Sequence, residues 1–139
     1  MKFPVVIRKR NTLVIADDDF FKRTGHLDPS TGTLDFNVAG DGRAHLHWIL
    51  DGEGSLTALS SLGLLPGGLL RMLRVRRRRE RYRLLPARRI RASELLRLIE
   101  GLTDDYPEAP HVADLRNHLS TFRPEEVIDK EKLQHYFGE

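Results

Sequence analysis

Cysteine is absent from the 139 residues. This excludes a disulfide framework, a thiolate metal site and a cysteine nucleophile, and it fits a reducing, cytosolic compartment. Long apolar runs are missing too. The opening stretch MKFPVVIRKRNTL has only Val5-Val6-Ile7 as an apolar centre, too short for the hydrophobic region of a signal peptide. The longest apolar stretch, Leu62 to Leu70, is broken by Gly63, Pro66, Gly67 and Gly68, so it does not cross a bilayer as a helix. A cytoplasmic chain without membrane contact is expected. Catalytic signatures are equally scarce. Ser55, Ser60, Ser61, Ser93 and Ser120 lie in no Gly-x-Ser-x-Gly elbow. Neither Asp41-Gly42 nor Pro66-Gly67-Gly68 leads into the Lys-Ser/Thr end of a phosphate loop. No enzyme activity and no cofactor is expected.

Acids are nearly missing from one segment. Between Arg71 and Arg91, eleven of 21 residues are Arg, and Glu80 is the only acid. That segment carries +10 and the remainder of the chain −7, so the net charge of +3 conceals a strongly polarised molecule. Residues 100–139 hold ten acids against four Arg or Lys. Clustered positive charge requires an anionic counterpart, inside the protein or on a partner. Three counterparts fit, ranked in this order: solvent or the chain's own C-terminal acids, an acidic protein surface, and nucleic acid. Nucleic-acid binders place aromatic or polar base-reading groups beside the charge, and only Tyr82 interleaves here. Charge reversal at Arg77 and Arg79 separates the first two, because internal pairing would show as lost stability and an interface as lost binding.

The length predicts one α+β domain over residues 1–139. Residues 1–50 are strand-rich, 51–91 combine Leu-rich turns with the arginine segment, and 92–139 are helical. Phe3 to Arg8 and Leu13 to Asp17 are apolar and β-branched, and Lys9-Arg10-Asn11-Thr12 joins them as a hairpin. One Asp of the Asp17-Asp18-Asp19 run, ahead of Phe20-Phe21-Lys22-Arg23, is placed to cap a short helix. Asp28-Pro29-Ser30-Thr31-Gly32 is dense in turn formers. Thr33 to Ala39 alternates with Leu34, Phe36 and Val38 on one face. A tight turn at Gly40-Asp41-Gly42 leads to Ala44 to Leu50, with Ala44, Leu46 and Trp48 on one side and His45, His47 and Ile49 on the other. The expected architecture is an antiparallel sheet of about four to five strands packed against C-terminal helices.

Asp51 to Ser55 reads as a flexible break between sub-structures, and Leu56 to Leu65 and Leu69 to Leu73 as short helical turns around Pro66-Gly67-Gly68. The chain then runs extended through Leu85, where Pro86 stops it. Tyr82 and Leu84 face the core there, and Arg81 and Arg83 face water on what reads as an edge strand. Ser93 is the expected cap of a helix whose Leu95, Leu98, Ile99 and Leu102 share a face. A second helix from His111 to Phe122 aligns Val112, Leu115 and Leu119. Pro124 is placed to open a third, ending near Phe137.

Two clusters could hold a metal. Asp17, Asp18 and Asp19 with Asp28 or Asp35 could bind Mg²⁺, which would make the chain a metal-dependent enzyme. His45, His47, His111 and His118 could bind zinc. Neither has diagnostic spacing, capping accounts for at least one Asp, and no metal is expected.

Three stretches in order, MKFPVVIRKRNTLVIADD, the Asp-Pro turn before TLDFNVAGDGRAHLHW, and ERYRLLPARRIRASELLRLIEGL, resemble in layout the small cytosolic immunity proteins of bacterial toxin systems. The first nine residues also resemble the start of HicB-type antitoxins, but the later Pro-Asp-Leu-Pro-Gly-Cys-like stretch of that family is missing. The immunity-protein resemblance implies a compact, non-enzymatic α+β module of a bacterial cytoplasm that occludes a partner protein, such as a toxin. The expected contact surface is Arg76, Arg77, Arg78, Arg79, Arg81 and Arg83, with Asp17, Asp18 and Asp19 as a second patch. The alternative is a nucleic-acid-binding protein that uses the Arg71 to Arg91 segment.

Overall fold

Strand β1 (Val5–Lys9) buries Val5, Val6 and Ile7 in succession. Only a strand covered on both faces needs apolar side chains at consecutive positions. Val6 joins one hydrophobic cluster, and Val5 and Ile7 join another. The molecule is built around these two cores. The computed structural model describes residues 1–39, 42–65 and 77–137, with the backbone alone at Ala39, Leu65, Arg77 and Arg78. The expected turns or helix over Leu69 to Leu73, the turn at Gly40-Asp41 and the contact residue Arg76 lie outside the described residues.

After β1 come β2 (Thr12–Ala16), α1 (Asp18–Thr24), β3 (Gly25–Asp28), β4 (Thr33–Ala39), β5 (Leu46–Leu50), β6 (Ser55–Leu65), β7 (Arg77–Leu84) and β8 (Arg88–Arg89). Helices α2 (Ala92–Ile99), α3 (His111–Leu119) and α4 (Lys130–Tyr136) complete the described order. Among the described residues the strands form one antiparallel sheet of eight, not four to five, in the order β2-β1-β5-β6-β7-β4-β3, with β8 paired to β6. Although β1 and β4 stand far apart in that order, Ile7 and Leu34 lie in the same cluster. The sheet therefore curls on itself and encloses Phe21, Phe36, Ile49 and Tyr82. The opposite face of β1, β2 and β5 carries Leu13, Trp48 and Leu50, which meet Leu95, Ile99, Val112, Leu115, Leu119 and Leu133 of the three C-terminal helices. Spacings of three and four residues put each helical set on one stripe.

Strand β6 turns the corner. Its first part pairs with β5 through Leu50↔Leu56 and Trp48↔Ala58, and its second with β7 through Leu59↔Leu84 to Leu65↔Arg79. This corrects the helical reading of Leu56 to Leu65. A Leu-rich stretch punctuated by glycine suits either geometry locally, and pairing on two sides decided for the strand. Asp51 to Ser55 is not a break. It is the turn of the β5–β6 hairpin, where the Asp51 carboxylate accepts from the N–H groups of Glu53 and Ser55, each at 3.0 Å. Strand β7 lies between β6 and β4 and is not an edge. In β5, Arg8↔Trp48 is followed by Lys9↔Leu46, so His47 is an extra residue. The bulge turns Leu46 into the curl beside Ile49 and leaves Trp48 under the helices. The strict alternation expected from Ala44 to Leu50 fails there.

The helix starts differ in instructive ways. An Asp cap before α1 was expected, and of the three aspartates it is Asp17 that accepts from Phe20 N–H at 2.6 Å. For α2 the cap position is Arg91, not Ser93, and the Glu94 carboxylate reaches back to its N–H at 3.4 Å. Helix α3 is capped from a distance, because Asp104 accepts from the N–H groups of Val112 and Ala113. Helix α4 begins at Lys130 behind an Asp129 cap, well after Pro124.

Candidate functional site

Successive side chains of an extended strand point to opposite faces, so β7 divides its own residues. Glu80 and Tyr82 point into the curl with Leu34 and Phe36 of β4, while Arg79, Arg81 and Arg83 point outward with Asn37, Asp35 and Thr33 opposite them. The arginine segment thus has a structural side and a solvent side.

On the inner side, Glu80 is 2% exposed and fully partnered. Its Oε1 accepts from the Tyr82 hydroxyl at 2.5 Å and from Ala44 N–H at 2.9 Å. Its Oε2 accepts from Ser61 Oγ at 2.7 Å and from Arg43 Nη1 at 3.3 Å. The Tyr82 oxygen in turn accepts from Leu46 N–H at 3.1 Å. One carboxylate therefore ties β7 to β6 and to the segment that leads into β5, closing the curl. Burial disfavours its charge, but the hydrogen bonds of Tyr82, Ser61 and Ala44, with Arg43 beside them, outweigh that penalty and hold the carboxyl below its ordinary range. Burial, reinforced by Glu80, pushes the Tyr82 phenol up, so it stays protonated as a donor.

On the outer side, Arg81 grips Asp35 in a two-pronged pair, Nε to Oδ1 at 2.8 Å and Nη2 to Oδ2 at 3.1 Å. The two residues are cross-strand neighbours, which presents the fork in register. Hydrogen bonding from Arg81 outweighs desolvation and lowers the Asp35 pKa. Arg79 and Arg83 are exposed, and among the described residues no ion pair joins either to an acid. The bond from Arg88 to Glu94, at 3.1 Å, is the one ion pair between the described arginine segment and the helical third. No acid of residues 100–139 pairs with an arginine among the described residues. Arg77 and Arg78 extend β7 opposite Ala39 and Val38.

The acidic patch serves its helix. Asp17 is the α1 cap, Asp18 pairs with Lys22 one turn on at 3.0 Å, and Asp18 and Asp19 sit in the first turn, where negative charge suits the helix dipole. None of the three meets an arginine of β7 among the described residues. Asp28 and Asp35 do not join them as ligands, since Asp28 closes its own turn on Ser30 and Asp35 holds Arg81. His45 precedes β5 with φ 54° and His47 is the bulge, so they do not form one arm of a site. His118 packs edge-on against Phe122 and hydrogen-bonds the Lys132 carbonyl. Among the described residues no group of three or more His, Asp or Glu could hold a metal.

Sequence reasoning missed two parts of this region. The sequence offers Asp35 as a metal ligand, and its role in orienting Arg81 emerges only from the β4–β7 register. Leu62 was read as part of an apolar run, yet it stands 56% exposed on β6 beside the arginines. The role of Glu80 did have a signal, because a single acid among eleven arginines suggests a specific partner. Among the described residues no helix is long and apolar enough to cross a membrane. Compared with protein-family models, curated proteins and solved structures, the chain has no significant match.

Proposed function

We propose that this protein is a non-enzymatic binding module that occludes another protein in the bacterial cytoplasm, in the manner of the immunity and antitoxin-like inhibitors its layout resembles. The outer face of β7 is its contact surface. The observation that carries the reading is the exposure of Arg79 and Arg83 on a strand held by neighbours on both sides. The backbone that carries these charges is already ordered, so binding costs side-chain freedom but no strand ordering, and the charges steer an acidic partner into register. Arg81, already oriented by Asp35, lies between them.

Nucleic acid is the competing ligand for the same arginines. Base stacking needs an accessible aromatic ring, and Tyr82, which alternates with these arginines, is 1% exposed. That burial favours a protein partner. The test is a pull-down with tagged protein, run with and without nuclease, using wild type and an Arg79→Glu/Arg83→Glu variant. A stoichiometric protein that survives nuclease and is lost with the variant is expected. Recovery of nucleic acid alone would overturn the proposal.

A further inference from the structure

We infer that Leu62 is the apolar anchor of this face, and that the face recognises an acidic protein segment carrying an apolar side chain among its carboxylates. The inference rests on the outer face of β7 being the contact surface. Ser61 pairs with Tyr82 and Gly63 pairs with Arg81, so Leu62 is the extra residue of a bulge in β6. Ser61 turns its hydroxyl inward to Glu80, and Leu64, opposite Glu80, packs on the inner core. Leu62 and Gly63 therefore both lie on the outer side, across from Arg81.

The surface beside the two residues is open. Gly63 has φ 102°, a conformation that other residues rarely adopt, and a Cβ built there would meet nothing within 4 Å. Leu62 stands beside that opening, 56% exposed, whereas Leu59 and Leu64 of the same strand pack against the inner core. The bulge brings Leu64 inward, and that need explains the irregularity but not the leucine: a polar residue at position 62 would serve the bulge equally well. An isolated surface leucine is ordinary. This one sits beside Arg81, with Arg83 and Arg79 on either side along β7. Arginines on the neighbouring strand and an apolar side chain on the same face form the arrangement in which charge sets approach and orientation, and apolar burial adds affinity. The complementary chemistry is a protein segment with carboxylates flanking one apolar side chain. A nucleic-acid backbone has the charge but not the apolar centre.

Two fluorescein-labelled synthetic peptides test this, each with six glutamates around a central pair, Ser-Ser in one and Leu-Leu in the other. An oligothymidylate of equal charge is the third probe. Wild-type protein is expected to bind the Leu-centred peptide roughly ten-fold more tightly than the Ser-centred one, as judged by fluorescence anisotropy. Leu62→Ser should erase that difference and melt at the wild-type temperature. Arg79→Glu/Arg83→Glu should weaken both peptides. Equal wild-type affinities for the two peptides, or a preference that survives Leu62→Ser, would overturn the anchor while leaving the acidic-partner reading intact. A lower melting temperature for Leu62→Ser would also overturn it, by assigning Leu62 to folding. Binding of the oligothymidylate alone would overturn the reading of the face itself.

Discussion

The inner and outer faces of β7 are written in one alternating stretch of sequence and do opposite things with charge. Inside, Glu80 is surrounded by four donors from three parts of the chain. Outside, Arg81 has a single acidic partner, and the exposed Arg79 and Arg83 have none among the described residues. A buried carboxylate must be satisfied where it sits, or it raises the free energy of the fold. Exposed guanidinium groups are hydrated at little cost and keep their field for whatever approaches. Strand β7 is thus tied to its neighbours through its one acid and leaves the positive charge of Arg79 and Arg83 facing solvent.

That contrast can be broken most sharply at Glu80. Glu80→Ala removes the acceptor for Tyr82, Ala44 N–H, Ser61 and Arg43 together. It should lower unfolding free energy by about 3 kcal/mol in urea denaturation, with the affinity of the folded protein for acidic peptides unchanged. A loss near zero would show that the network is not what closes the curl. Tyr82→Phe keeps the ring and removes one hydroxyl that both donates and accepts, so a smaller loss of about 1–2 kcal/mol is expected in the same experiment.

Acid should act on both faces in the same direction. The Glu80 and Asp35 carboxyls titrate below their ordinary values of 4.5 and 3.8 in the folded chain. Their stabilisation is therefore complete above about pH 5 and is lost as the pH falls through the folded-state values. Urea midpoints at neutral and acidic pH should fall accordingly, and Glu80→Gln should flatten the decline. A midpoint that rises on acidification would contradict both assignments. The smallest effect on folding belongs to Arg79→Glu/Arg83→Glu, whose melting temperature should stay within about 2 °C of wild type while binding to acidic peptides is lost. A larger drop would mean that these arginines are paired within the fold.

Much of this was readable locally. The β1–β2 hairpin, an Asp cap before α1, the turn from Asp28 to Gly32, the alternation of β4 and the Val112, Leu115 and Leu119 stripe all follow from signals within a few residues. The failures share a non-local cause. Nothing near Leu56 to Leu65 says that β5 and β7 will take its two edges, and nothing near His111 says that Asp104 will cap α3. The fold class was legible, but the strand count was not, because the second part of β6 and all of β8 owe their pairing to distant segments.

For the candidate site the division is the same. Alternation from Arg77 to Leu84 by itself determined that Tyr82 and Leu84 share one side and Arg81 and Arg83 the other, since period two is a local property of extended backbone. Only the tertiary structure decided that β7 has a neighbour on each side, that Asp35 and Glu80 are the acids that count, and that Leu62 stands outside. Strand order, bulges and ion pairs depend on contacts between residues far apart in the chain, and their free energies are set only when the whole sheet has closed.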